Sequence, residues 1–104
     1  MPDSIHSSSP QKAIISLSDG LLADGLSALR QSIRDLVMSG VAVVVIDVSD
    51  ARQIDSTLLG VLLDTHRICR QRGGGVVVRH ADRRTADLLH RTGLDRVFDV
   101  ADES

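Results

Sequence analysis

Aromatic residues are almost missing from this chain: one Phe, no Trp and no Tyr among 104 positions. The core must therefore be aliphatic, and any interface lacks the Trp and Tyr anchors that usually dominate binding hot spots. The stacking platforms used by single-stranded nucleic-acid binders are equally lacking. A formal net charge of -2 adds no attraction to phosphate backbones, so direct nucleic-acid binding is not expected. The single cysteine, Cys69, excludes an internal disulfide and a cysteine-rich zinc site. On the inward face of a helix it reads as a small core hydrophobe. The longest apolar run, VAVVVI from Val41, is far below the ~20 residues that span a bilayer. The opening MPDSIHSSSP has none of the basic, apolar and cleavage regions of a signal peptide. A cytoplasmic location is the default expectation, with a peripheral role beneath a membrane complex still open.

What is present has an ordinary globular balance, 42% hydrophobic and 25% charged, in a length that suits one domain. Residues 1–11, rich in Ser and Pro, read as a flexible N-terminus, and 12–104 as the folded domain. Ala13–Leu17 is a short strand, closed by the turn signal Ser18-Asp19-Gly20. From Leu22 the apolar positions Leu26, Leu29, Ile33 and Leu36 or Val37 follow at helical spacing, and the amphipathic helix ends near Gly40. Val41–Val48 (VAVVVIDV) is β-branched and almost continuously apolar, the signature of a central strand in a largely parallel sheet.

Ser49–Gln53 is the connecting loop, and a second helix begins at Asp55 or Ser56 and runs to about Arg72. After Gly73-Gly74-Gly75 come a strand at Val76–Arg79 and a third helix over Arg83–Thr92, capped by Asp82 and stopped by Gly93. Val97 and Phe98 start a last short strand. The order β-α-β-α-β-α-β predicts an α/β domain, a small mixed sheet of about four strands covered by about three helices. Such a layer is marginal for its size unless a partner or a second copy, as in a homodimer, covers part of it.

Ser56 and Thr57 stand where a loop enters the second helix. One of these hydroxyls, or the Asp55 carboxylate, can cap the helix, typically for ~1 kcal/mol. A phosphorylation switch is the sharper alternative. A phosphate would meet unpaired amides and the positive end of the helix dipole, while adding about -1.5 to -2 charge beside Asp55. A hydrolase nucleophile is disfavoured, because His66 lies roughly 15 Å along the same helix and no Gly-x-Ser-x-Gly elbow surrounds Ser56. Spacing alone leaves His80 open. His66 falls among Leu58, Leu59, Leu62 and Cys69, as a buried or boundary histidine rather than a metal ligand.

Gly60, Asp64, Arg67 and Gln71 face outward. Asp47, Asp50 and Asp55 match no compact metal signature, and their expected roles are loop solvation and capping. Gly73-Gly74-Gly75 precedes a strand and lacks the Lys-Ser or Lys-Thr of a P-loop, so it is a turn. No metal, cofactor or catalytic group is expected.

The stretch VVVIDVSDARQIDSTLLGVLL resembles the signature segment of STAS domains, particularly bacterial anti-sigma factor antagonists. In that family a strand leads into Asp-Ser-Ser-Gly-Leu-Gly or Asp-Ser-Thr-Gly-Leu-Gly at a helix start. Here it reads Asp55-Ser56-Thr57-Leu58-Leu59-Gly60. GGGVVV at 73–78 and HRTGLDRVF at 90–98 add support, and the likeness spans about Lys12 to Asp99. The resemblance implies a non-enzymatic partner of an anti-sigma factor that has a histidine-kinase-like ATPase fold and serine kinase activity.

On that reading Ser56 is the phosphoacceptor, with Thr57 as the alternative, and phosphorylation ends the binding. A PP2C-type phosphatase restores it. Asp55, Ser56, Thr57, Gly60 and Asp64 would form the docking face. Leu58 in place of the first motif glycine, Ser18-Asp19-Gly20-Leu21-Leu22 in place of Gly-Glu-Leu-Asp, and a final helix missing from the pattern are departures. The resemblance therefore also admits a STAS accessory subunit of a membrane lipid-transport ATPase, or a STAS binding module without regulation.

Overall fold

Two strands open the chain, and helices and strands then alternate: β1 (Ile5–Ser9), β2 (Lys12–Ser18), α1 (Leu26–Met38), β3 (Val43–Asp50), α2 (Ser56–Arg70), β4 (Gly75–Arg79), α3 (Arg83–Arg91) and β5 (Asp99–Ala101). A 3-10 turn, Leu94–Arg96, precedes β5. This computed structural model describes residues 5–9, 12–19, 25–51 and 54–101. The strands form one mixed sheet in the order β1-β2-β3-β4-β5. β2 to β5 run parallel to one another, and β1 is antiparallel at the edge.

The parallel register sorts the strand residues into two faces. Ala13, Val44 and Val76 form one cross-strand row, and Ile15, Ile46 and Val78 the next. These residues are all buried and share one cluster with Leu29, Ile33 and Val37 of α1, Leu58 and Leu62 of α2, and Leu89 of α3. The three helices therefore cover a single face of the sheet. Crossovers of one hand between successive neighbouring strands require this arrangement. Each fully buried Leu or Ile contributes roughly 1.5–3 kcal/mol, so this aliphatic layer supplies most of the stability. The opposite face carries Ile14, Val45 and Val77 in one row and Ser16, Asp47 and Arg79 in the next.

The expected α/β layering and the four parallel strands are present, and several boundaries differ. Ile5–Ser9, read above as part of a flexible terminus, pair with β2 through Ile5–Ile15, His6–Ile14 and Ser7–Ala13. Edge pairing satisfies backbone groups whatever the side chains are, so a serine-rich segment enters the sheet without a hydropathy signal. The first helix starts at Leu26, and its predicted start at Leu22 lies outside the described residues. β3 extends to Asp50, past the predicted end at Val48. α2 ends at Arg70 with Gln71 as its cap.

Val97 and Phe98 do not begin the last strand. Gly93 adopts φ 76°, a 3-10 turn follows, Phe98 enters the core, and β5 begins one residue later. Gly73, with φ 84°, and Gly74 close the end of α2 through bonds to the Arg70 and Cys69 carbonyls, so the triple glycine is the predicted turn. The predicted absence of a final helix concerns residues beyond Ala101, which lie outside the described ones.

Candidate functional site

β3 delivers the chain to the C-terminal edge of the sheet, where α2 begins. Asp55 is the N-cap, in extended conformation, and its carboxylate accepts the Leu58 amide at 2.9 Å. Its carbonyl accepts the Leu59 amide at 3.1 Å. Capping therefore belongs to Asp55, which leaves the Ser56 hydroxyl free of that duty. Ser56 and Thr57 are exposed, and their amides have no partner among the described residues. Two donors at the positive end of a 15-residue helix are thus open to an anion.

The rest of the predicted face follows from helical spacing. Ser56, Gly60 and Asp64 recur every four residues and are all exposed, with Thr57 beside them. Leu58, in the motif's first glycine position, is 1% exposed and turns into the core, so its bulk is withdrawn from that face. A Cβ built on Gly60 would meet nothing within 4 Å. No packing demand inside the chain explains a glycine there, although it weakens the helix by about 1 kcal/mol relative to Ala. The structure thus brings Asp55, Ser56, Thr57, Gly60 and Asp64 onto one exposed strip.

His66 faces elsewhere. Its Nδ1 accepts the Val76 amide at 3.0 Å, and its ring meets Phe98 edge-on at 5.6 Å between centroids. Burial, reinforced by the Arg70 charge, pushes its pKa down and favours the neutral ring that this bond requires. This is the boundary histidine the helical wheel implies. Cys69 is fully buried, and burial pushes its thiol pKa up. Among the described residues no three His, Cys, Asp or Glu side chains gather as a metal site.

One group escaped the sequence reading. Asp47 does not solvate a loop; it lies in β3, beside Arg79 of β4 in the register. Its Oδ2 accepts from Arg79 Nε at 3.1 Å and lies 3.1 Å from His80 Nδ1. Its Oδ1 accepts from the Ser49 amide at 3.0 Å and the Ser49 hydroxyl at 2.8 Å. His80 takes the left-handed conformation, φ 59°, as the chain leaves β4. The available signal was an acid and a base closing two adjacent apolar strands, IDV and VVVR.

Burial of Asp47 alone would raise its pKa. The Ser49 bonds, Arg79 and the His80 charge outweigh burial and hold it at about 2, below the ordinary 3.8 of a free aspartate. A depressed carboxylate stabilises the fold above its unfolded pKa and loses that contribution as pH falls through the folded one. Between about pH 4 and pH 2 the wild type should therefore lose about 2 kcal/mol that Asp47→Asn does not lose. Urea unfolding of both proteins across that range measures the difference. Parallel pH profiles would contradict the assignment.

The comparisons bear on the family and the fold. The family profile described as "Mlab, STAS domain" matches residues 6–100. The chain belongs to the STAS domain family. An anti-sigma factor antagonist from Mycobacterium paratuberculosis is 31% identical, with TM-score 0.68, covering 96% of this chain and 87% of its own. The anti-sigma factor antagonist SpoIIAA in its unphosphorylated form is 16% identical with TM-score 0.81, covering 95% and 87%. The phosphorylated form of the Bacillus cell fate determinant SpoIIAA is 15% identical with TM-score 0.70, covering 95% and 90%. At these last two identities the likeness speaks for the fold. No curated protein matches the chain.

Proposed function

We propose that this STAS domain is an anti-sigma factor antagonist that docks its partner on the exposed strip at the start of α2 and is switched off by phosphorylation of Ser56. The observation that carries the proposal is the exposed Ser56 hydroxyl directly after the capping Asp55, beside two amides that have no partner among the described residues. The partner on this reading is an anti-sigma factor with a histidine-kinase-like ATPase fold and serine kinase activity, acting in the cytoplasm. Ser56 Oγ attacks the γ-phosphorus of ATP, the bond to ADP breaks, and the hydroxyl proton leaves. The phosphate charge of about -1.5 to -2 is met by the helix terminus, so the domain stays folded while the partner faces a new anion. A PP2C-type phosphatase resets the switch by hydrolysis. Thr57 is the competing acceptor, one residue along the same turn.

The protein's own role is binding, not catalysis. Two of the solved neighbours, SpoIIAA and the Mycobacterium paratuberculosis protein, are anti-sigma factor antagonists, which supports this reading. The second reading, an accessory subunit of a membrane lipid-transport ATPase, uses the same strip without a phosphate. It is favoured by the family profile, whose description is Mlab and not an anti-sigma factor antagonist.

Capture from native-host lysate, followed by binding measurements with the purified captured protein, tests the proposal. Ser56→Ala should bind like the wild type and stay folded, within about 0.5 kcal/mol, because the cap is Asp55. Ser56→Asp and Gly60→Arg should each weaken binding about tenfold or more, through repulsion and obstruction at the strip. Unchanged affinity in both would place the interface elsewhere. A transporter ATPase as the specific partner, bound by a chain that is never phosphorylated, would select the second reading.

A further inference from the structure

Further along α2 from Ser56, and sharing Asp64 with the strip described above, α1 and α2 flank a groove of about 620 Å³. Its apolar lining is made by the buried Ile33 and Val37 of α1 and Val61 of α2, together with Ile68 of α2 and Met38, the last residue of α1. Two of these side chains stand out into solvent: Met38 is 75% exposed and Ile68 44%. Arg30 and Arg34 rise from α1 and Arg67 from α2, and none of the three has an ion-pair partner among the described residues. Arg72 is fixed across the gap by its Nη1, which donates to the Val37 carbonyl at 2.6 Å. Among the described residues Asp64 is the only acid lining the groove. The chain as a whole is net acidic, so this cationic rim is a local feature.

We propose that the α1–α2 groove is a second docking site, which takes an acidic amphipathic helix of a partner protein. Apolar side chains of that helix at i, i+3, i+4 and i+7 would lie on the apolar lining, and its flanking carboxylates would meet Arg30, Arg34 and Arg67. Met38, unbranched and polarizable, adapts to such a ligand better than a branched residue. A second copy of this chain fits poorly. A two-fold contact would set arginine against arginine, and α3, with Arg83, Arg84 and Arg91, offers no acidic stripe. An anionic bilayer presents a flat surface, whereas the apolar lining lies between two helices. The inference does not use Ser56 and stands or falls apart from the phosphorylation switch.

The test uses the intact chain and a fluorescently labelled synthetic helix with Leu at i, i+3, i+4 and i+7 and Glu on both flanks. Saturable binding by anisotropy is expected, weakening with added salt. Arg30→Glu with Arg34→Glu should reduce the affinity about tenfold or more, while Arg91→Glu on α3 should leave it within about twofold. Ile68→Asn, a polar change at a half-exposed site, should weaken binding as well, which separates a groove from a purely electrostatic patch. Circular dichroism confirms that each variant is folded. Equal binding by the double variant, equal binding of a peptide with Lys in place of Glu, or sedimentation with phosphatidylglycerol vesicles without peptide binding would each overturn the proposal.

Discussion

Ile46→Asp unfolds the domain, whereas Val45→Asp, one residue earlier in the same strand, leaves a cooperative fold with a lowered melting temperature. Ile46 is completely buried, in a row with Ile15 and Val78 beneath the helices. An aspartate there has no partner and no route to water, at a cost of at least several kcal/mol, against a total stability of ~5–15 kcal/mol for a domain. Val45 is only 4% exposed, yet it lies on the sheet face away from the helices, between the half-buried Ile14 and Val77. Half-buried neighbours on both sides give a carboxylate there a shorter way to water than at Ile46, so the cost falls to about 1–3 kcal/mol. Circular dichroism and urea titration of both variants decide the matter. Equal damage from both, or a cooperatively melting Ile46→Asp, would contradict a core on one side of the sheet.

Gly74→Ala should be nearly as harmful, for a backbone reason. A Cβ at Gly74 would collide with the Ala42 carbonyl, the same oxygen that accepts the Gly75 amide at 3.0 Å to start the β3–β4 pairing. The neighbour is main chain and cannot rotate away, so either β4 shifts or this bond breaks. Overpacking of about 1–3 kcal/mol adds to a lost buried hydrogen bond of about 1 kcal/mol. Gly60→Ala is the contrasting control, because its Cβ enters open space and Ala favours the helix. The first variant should unfold at clearly lower urea concentration than the wild type, and the second at equal or higher concentration. A neutral Gly74→Ala would mean that the glycine turn does not set the approach of β4 to β3.

The central strand was legible because Val44, Ile46 and Val48 face the helices while Val45 is buried on the other side, which yields an unbroken β-branched run. The helix stripes were legible through Leu29, Ile33 and Val37, and again through Leu58, Leu62 and Cys69. The placement of the candidate strip was legible for a related reason: Asp55 caps by local geometry, and residues spaced by four then share an outward face.

What escaped depends on contacts between distant residues. Ile5–Ser9 enters the sheet through backbone bonds that no hydropathy pattern records. Asp47, Arg79 and His80 meet across 32 and 33 positions and become neighbours only once the β3–β4 register is fixed. Phe98 carries the apolar signal of a strand, yet a 3-10 turn, with its short repeat, had already been started by Gly93.

Site-resolved mass measurement of the chain after incubation with its captured kinase partner and ATP tests the central claim most directly. The account predicts the gain of one phosphoryl group, placed on Ser56 by fragmentation, in step with loss of the partner from the complex. Ser56→Ala should stay unmodified and stay bound. Phosphate on Thr57 would move the switch by one residue, and a tight, ATP-treated complex without any phosphate would contradict a switch at the start of α2.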